Sequence, residues 1–201
     1  MSDPVFPVFL RLAGRKVLVV GGGTVAASKL RGLQKASARV TVVAPEIRPE
    51  IEEAGVRLLR RRFRPKDLTG AWLVVAAATP EVNRRVADAA DARQVFVNAV
   101  DDPGSASAYL GGVFHRAGVT VSISTGGEAP ALAGLLRQGL EELVPEEVGD
   151  WLEQARTLRR EWRAKHTPMA GRRPLLLEAL NRLYGEGGNA RVAGAQPGLR
   201  P

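Results

Sequence analysis

The first hundred residues predict an α/β protein built on a parallel, doubly wound sheet. Two observations carry this. Short apolar runs alternate with amphipathic helical patterns from Lys16 to Val100, the order that buries a parallel sheet between helices. The first run also ends in Gly21-Gly22-Gly23 and passes at once into a helical pattern at Val25, Ala26, Lys29, Leu30 and Leu33.

Lys16–Val20 is rich in β-branched and aliphatic residues and reads as the first strand, with a helix over Thr24–Lys35. Ala38–Val43 is the second strand, closed by Ala44-Pro45-Glu46, and a short helix is expected over Arg48–Glu53. Val56–Arg60 is the third strand. Trp72–Ala77 is almost continuously apolar, as a strand buried on both faces must be. Thr79-Pro80-Glu81 starts the next helix, with a threonine cap, a proline in the first turn and an acid at the positive dipole end. It runs to about Arg93, and Val95–Val100 is the fifth strand.

The pattern changes after Asp101. Asp102-Pro103-Gly104 is a turn, and Ser107–Phe114 and Val119–Ser124 read as strands joined through His115–Gly118. Thr125–Pro130 leads into a helix with Leu132, Leu135, Leu136, Leu140 and Leu143, ended by Pro145. Further helices are expected over Glu146–Lys165 and Pro174–Tyr184, the last stopped by Gly185. Residues 187–201 are rich in glycine, alanine and proline and read as a disordered tail.

Gly21, Gly23 and Ala26 fit the G-x-G-x-x-G/A fingerprint of a dinucleotide site. The first glycine permits the sharp turn. The second lets a pyrophosphate approach the backbone, and the small residue lets helix and strand pack closely. The free N–H groups of the helix start then face the phosphates.

Bulk properties narrow the function. No apolar run approaches the roughly 20 residues that span a bilayer, so no membrane partner is expected. The start, Met-Ser-Asp-Pro, is not that of a signal peptide, and a cytoplasmic protein is the simplest expectation. The chain has no cysteine and only two histidines, His115 and His166, in no metal-ligand spacing, so no resident metal site is expected. The net charge of +8 suits a polyanionic partner. A non-catalytic NAD-sensing or nucleic-acid-binding module is the alternative reading of that charge. Aromatic residues make up only 5%, however, and the basic stretch Glu153–Lys165 interleaves acids, so nucleic acid is not the expected partner. Trp72, Trp151 and Trp162 are most simply core or interface residues.

In a doubly wound sheet, ligands sit beyond the carboxyl ends of the strands. Those ends offer Gly21, Gly22, Gly23, Thr24 and Val25, then Pro45 and Glu46, then Thr79, then Asn98 and Asp101. Glu46, 23 residues beyond Gly23, is placed to accept from the adenosine ribose, favouring NAD. It could instead cap the next helix, and Arg48 could meet a 2′-phosphate. Thr79 could be a cofactor contact or only a cap. Asp101 follows an apolar strand and could move a proton above the cofactor, or could shape a turn; Asp102, directly before Pro103, fits the turn role better. Ser124, Thr125, Gly126 and Gly127 before a helix form either an anion-binding turn or an ordinary cap.

These residues together resemble the precorrin-2 dehydrogenase family, the amino-terminal module of siroheme synthase. The matching stretches are Phe6–Leu10, Val17–Gly23 with Val25, Ala26 and Lys29, Val40–Pro45, Val74–Thr79 with Asn83, Asn98–Asp101, and Ser122–Gly127 with Pro130–Leu132. The resemblance implies a Rossmann-type NAD-binding domain over 1–112, a dimerisation region over 113–145 and a helical C-terminal domain over 146–186, assembled as a homodimer. It implies oxidation of precorrin-2 to sirohydrochlorin with NAD⁺, Asp101 as the essential carboxylate, and cofactor contacts at the glycine turn, Thr24, Val25, Pro45 and Glu46. The tetrapyrrole is expected near Ser124–Gly127. Some members also insert ferrous iron, and a dehydrogenase alone and a dehydrogenase-chelatase both accord with the residues. Ala129 and Gly111 depart from the family pattern, where a hydroxyl residue and a proline are frequent.

Overall fold

The computed structural model describes residues 5–185; the tail expected over 187–201 lies outside them. Strands β1 (Lys16–Val20), β2 (Arg39–Val43), β3 (Arg57–Leu59), β4 (Leu73–Ala76) and β5 (Phe96–Ala99) form one sheet in the order β3-β2-β1-β4-β5. Every pairing is parallel, with Val17 opposite Val40 on one side and Leu73 on the other. Helices α1 (Thr24–Lys35), α2 (Pro49–Glu52) and α3 (Pro80–Asp91) connect the strands. The winding reverses between β1 and β4, which opens the crevice where such sheets bind ligands.

Side-chain alternation along β1 explains why both faces are covered. Val17 and Val19 pack with Ala26, Leu30 and Leu33 of α1. Leu18 and Val20 point the other way and pack with Val86, Ala87 and Ala90 of α3. Both clusters are centred on the apolar strand runs Val17–Val20, Val40–Val43 and Leu73–Ala76, and are filled out by residues outside the expected elements, Leu12 in one and Phe63, Leu68 and Ala71 in the other.

Beyond β5 come a hairpin, β6 (Gly112–Arg116) with β7 (Val119–Ile123), and helices α4 (Pro130–Leu143), α5 (Val148–Ala164) and α6 (Met169–Gly185). The chain divides into two compact units. One runs to Gly112 and takes in Ser122–Leu136. The other holds Val113–Val121 and the described chain from Arg137 onward. Residues 113–145 are thus shared between the two. None of the described helices is long and apolar enough to cross a membrane.

The structure corrects four local expectations. Ser107–Leu110 is not strand: the N–H groups of Ser107 and Ala108 both donate to the Val97 carbonyl (2.9 Å each), and the Ser107 hydroxyl accepts from Val97 N–H, so the segment folds onto β5. The hairpin turn is only two residues long, because Ala117 (φ 45°) and Gly118 (φ 86°) supply the two positive dihedrals that a tight turn needs, leaving His115 and Arg116 in β6. Trp72 lies outside β4, 45% exposed, with the Arg15 guanidinium 3.9 Å above its ring, so it is not a core residue. Helix α6 begins at Met169, five residues before the expected Pro174, which sits inside it. The Arg172 guanidinium donates twice to the Thr167 carbonyl and secures that earlier start.

Candidate functional site

The exits of β1, β2 and β4 converge on the glycine turn. Gly21 N–H donates to the Val43 carbonyl at 3.0 Å and Ala77 N–H to the Val20 carbonyl at 2.8 Å, so the rim is a continuation of the sheet. Gly21 has φ 128°, and a Cβ there would stand 2.1 Å from the Ala77 oxygen. A Cβ on Gly22 would stand 2.0 Å from the Glu46 oxygen. Backbone crowding therefore demands both glycines. Gly23 differs: it is the N-cap of α1 at an ordinary φ of −89°, with nothing within 4 Å of its Cβ position.

No side chain caps α1. Its first N–H groups therefore have no partner within the helix and carry the positive end of the dipole. Gly23, Thr24 and Val25 are exposed, while Ala26 is fully buried against the sheet. An open, uncapped helix start beside a space that a Cβ would fill is a donor set suited to a pyrophosphate. A dinucleotide fits the residues present.

Pro45 and Glu46 are exposed at the exit of β2. Glu46 does not cap α2, whose N-cap is Arg48 and carries no side-chain cap bond. Arg48 itself makes a two-pronged contact with Glu50, at 3.1 and 3.0 Å. That hydrogen bond raises the guanidinium pKa and lowers that of the Glu50 carboxyl. Thr79 occupies the N-cap position of α3, yet its hydroxyl makes no cap bond. The expected threonine cap is therefore absent, and the side chain that organises this end of α3 is Asn83. Asn83 Oδ1 accepts from Ala78 N–H at 2.9 Å, and Nδ2 donates to the Val100 carbonyl at 3.3 Å. One buried amide thereby ties the exits of β4 and β5 together.

The exit of β5 opens on a cleft of about 520 Å³, lined among others by Lys29, Asn98, Asp101, Tyr109, Ser124 and Thr125. Asp101 is exposed and has φ 58°, a left-handed backbone unusual for a residue with a side chain. Its carboxylate has no hydrogen bond or ion pair among the described residues, whereas Asp102 accepts from Ser105 N–H at 3.3 Å. The structure thus separates the neighbouring aspartates: Asp102 shapes the turn and Asp101 faces the cleft. Asn98 is 8% exposed; its Nδ2 donates to the Ala108 carbonyl at 2.9 Å and its Oδ1 has no partner. A buried acceptor left unpaired at the wall of a cleft suits a ligand that brings an N–H.

The hydroxyl-glycine turn is partly a cap. Thr125 Oγ1 accepts from Ala129 N–H at 3.1 Å and Ser124 Oγ from Gly126 N–H at 3.2 Å. Ser124, Thr125 and Gly127 line the cleft, and Gly126 does not. Gly127 (φ 84°) is further required because a Cβ would meet Pro103 at 2.9 Å and Tyr109 at 3.2 Å.

The pattern of strand ends does not single out Lys29 or Asn83. Lys29 lies on a helix rather than at a strand end. Apart from its place in the family resemblance, Asn83 is legible only as a polar residue on the buried α3 stripe of Val86, Ala87 and Ala90. His115 pairs with the Thr120 hydroxyl at 2.9 Å, and His166 (φ 52°) follows α5. Among the described residues no group of three or more acidic or histidine side chains could hold a metal ion. A larger concavity of about 610 Å³, in the other unit, is lined by Arg156, Arg159, Arg160 and Arg163 with Glu153. It offers neither a nucleotide cradle nor an unpartnered buried group.

Residues 8–112 match a family described as NAD(P)-binding. Siroheme synthase 3 of Aeromonas hydrophila is 44% identical over 172 residues, covering 83% of this chain and 37% of that protein. Siroheme synthase 2 of Aeromonas salmonicida is 47% identical over 150 residues, covering 73% and 31%. The chain therefore spans about a third of the length of these relatives. The solved structure of SirC, a precorrin-2 dehydrogenase, superposes with a TM-score of 0.69 at 26% identity, covering 91% of this chain and 93% of that one.

Proposed function

Since this chain belongs to the NAD(P)-binding family that its residues 8–112 match, we propose that it oxidises precorrin-2 to sirohydrochlorin, with Asp101 as the base. The resemblance to SirC along nearly its whole length, and to the shared part of the siroheme synthases, supports this reading. The observation that carries it is the unpaired carboxylate of Asp101, held over the cleft at the exit of β5.

The N–H groups from Gly22 to Val25 hold the cofactor pyrophosphate, with Gly21 shaping the turn beneath them. Pro45 and Glu46 receive the adenosine, and Thr79 borders the nicotinamide side. Glu46 is free to accept from ribose hydroxyls while Arg48 is engaged by Glu50, which supports NAD over NADP. Bound there, NAD⁺ supplies the hydride acceptor. Asn98, Ser124, Thr125 and Gly127 seat the tetrapyrrole, and Gly126 serves only to shape the turn that carries them. Asp101 takes the proton released as the hydride leaves, so precorrin-2 and NAD⁺ give sirohydrochlorin, NADH and a proton. Iron insertion is a second activity for the same cleft, with ferrous iron as substrate and Asp101 accepting pyrrole protons. A homodimer is proposed through residues 113–145, where α4 exposes Leu132, Leu135, Leu136, Leu140 and Leu143. A cytoplasmic setting fits the use of NAD⁺.

The test is Asp101→Asn, because asparagine tolerates the left-handed backbone and keeps the fold. NADH formation from precorrin-2 should fall at least about 100-fold while NAD⁺ binding stays at the parent level. Parental turnover in this variant would refute the assignment of the base.

A further inference from the structure

We propose that Lys29 is the residue that fixes the orientation of the substrate, by pairing with one of its peripheral carboxylates; this rests on the reading of the cleft as the precorrin-2 site. Lys29 is the only cation among the described residues lining that cleft. It is half-buried, and it has no hydrogen bond or ion pair among the described residues. In particular it makes no ion pair with Asp101 or Asp102, the two carboxylates in the same wall. An ammonium that lines a cleft and is paired by no protein carboxylate is available to a ligand that brings one.

The position follows from the helix. Ala26, Ala27, Leu30 and Leu33 of α1 are buried. Val25 and Lys29, four residues apart, share the neighbouring stripe. That stripe starts at the glycine turn and ends at the cleft. One helix therefore presents its first N–H groups to the cofactor phosphates and, one turn further along, an ammonium to the substrate. A polycarboxylate entering beside Asp101 and Asp102 is repelled by both. Lys29 offsets that repulsion at one edge of the macrocycle and so determines which edge lies over Asp101.

Three proteins are compared: parent, Lys29→Gln and Lys29→Arg. For Lys29→Gln, KM for precorrin-2 should rise about tenfold while kcat changes less than twofold and KM for NAD⁺ is unmoved. Lys29→Arg should restore most of the loss. Raising the salt should raise KM of the parent more steeply than that of Lys29→Gln. A second readout needs no turnover: sirohydrochlorin, titrated by its absorbance without NAD⁺, should bind Lys29→Gln about tenfold more weakly than the parent. An unchanged KM and unchanged sirohydrochlorin affinity overturn the proposal. A rise confined to KM for NAD⁺ also overturns it and assigns Lys29 to the cofactor. If the parent forms no NADH from precorrin-2, the dehydrogenase reading fails, and the sirohydrochlorin titration still decides the role of Lys29.

Discussion

Replacing Gly21 and Gly23 separately by alanine should divide the folding demand on the glycine turn from its binding demand. At Gly21 the new methyl would stand 2.1 Å from the Ala77 oxygen, against ordinary contact at 3.4 Å or more, so a backbone carbonyl must move by over 1 Å. That carbonyl belongs to the residue whose N–H bonds Val20, so the movement strains the β1–β4 pairing. Overpacking of this kind costs about 1–3 kcal/mol. Holding alanine at φ 128° adds about 1–3 kcal/mol. The sum, about 2–6 kcal/mol, is a large share of the stability of a domain this size. Urea unfolding followed by circular dichroism should show a midpoint lowered by about 1–3 M, taking a slope near 2 kcal/mol/M. Gly23→Ala should behave oppositely. Its methyl meets no protein atom, so stability should stay within about 1 kcal/mol of the parent. The methyl does fill the open space at the start of α1 that the proposed site gives to the phosphates, and Kd for NAD⁺ should rise at least tenfold by calorimetric titration. An unchanged unfolding midpoint for Gly21→Ala, or parental NAD⁺ affinity for Gly23→Ala, would show this division of roles to be wrong.

Two further outcomes concern the frame around the site. Asn83→Ala should leave Ala78 N–H and the Val100 carbonyl without their partner, at about 2–4 kcal/mol, seen as a Tm lower by about 5–15 °C. Asp67, its side chain 5% exposed, accepts two bonds from Arg61 (2.7 and 2.8 Å) and one from Arg64 N–H (2.9 Å). The Arg61 guanidinium holds its pKa below the ordinary aspartate value of 3.8. A depressed carboxyl stabilises the fold fully above its unfolded value and loses that contribution as pH falls through the folded one. Stability of the parent should therefore fall with acid below about pH 4, and Asp67→Asn should start lower, by about 2–3 kcal/mol at neutral pH, and lack this part of the acid slope.

Much of the nucleotide half is legible because its signals are local. The run from Lys16 to Val20 followed by three glycines needs only strand propensity and glycine dihedrals, and the boundaries of β1 and α1 follow to the residue. Trp72 departs because the apolar count does not distinguish the last buried residue from one lying outside the strand under Arg15. Ser107–Leu110 departs because its hydrogen bonds go to the Val97 backbone, an acceptor that no local periodicity reveals. In the candidate site, Asp101 stands at a strand end where a rule points. Lys29 reaches the cleft from a helix stripe, and Asn83 acts through carbonyl and amide groups of two separate loops. Such contributions depend on how elements are brought together, which spacing along the chain does not encode.

The dihedral at position 101 has a consequence for engineering. Glycine adopts a left-handed backbone at no steric cost, whereas aspartate, though more tolerant of it than most residues, does so at some cost. A library screened only for heat resistance should therefore enrich Asp101→Gly, a change that relaxes the chain and erases the acid. On the proposed role of Asp101 as the base, selection for robustness and selection for turnover pull in opposite directions at this residue, and a campaign to harden the protein would hold it fixed.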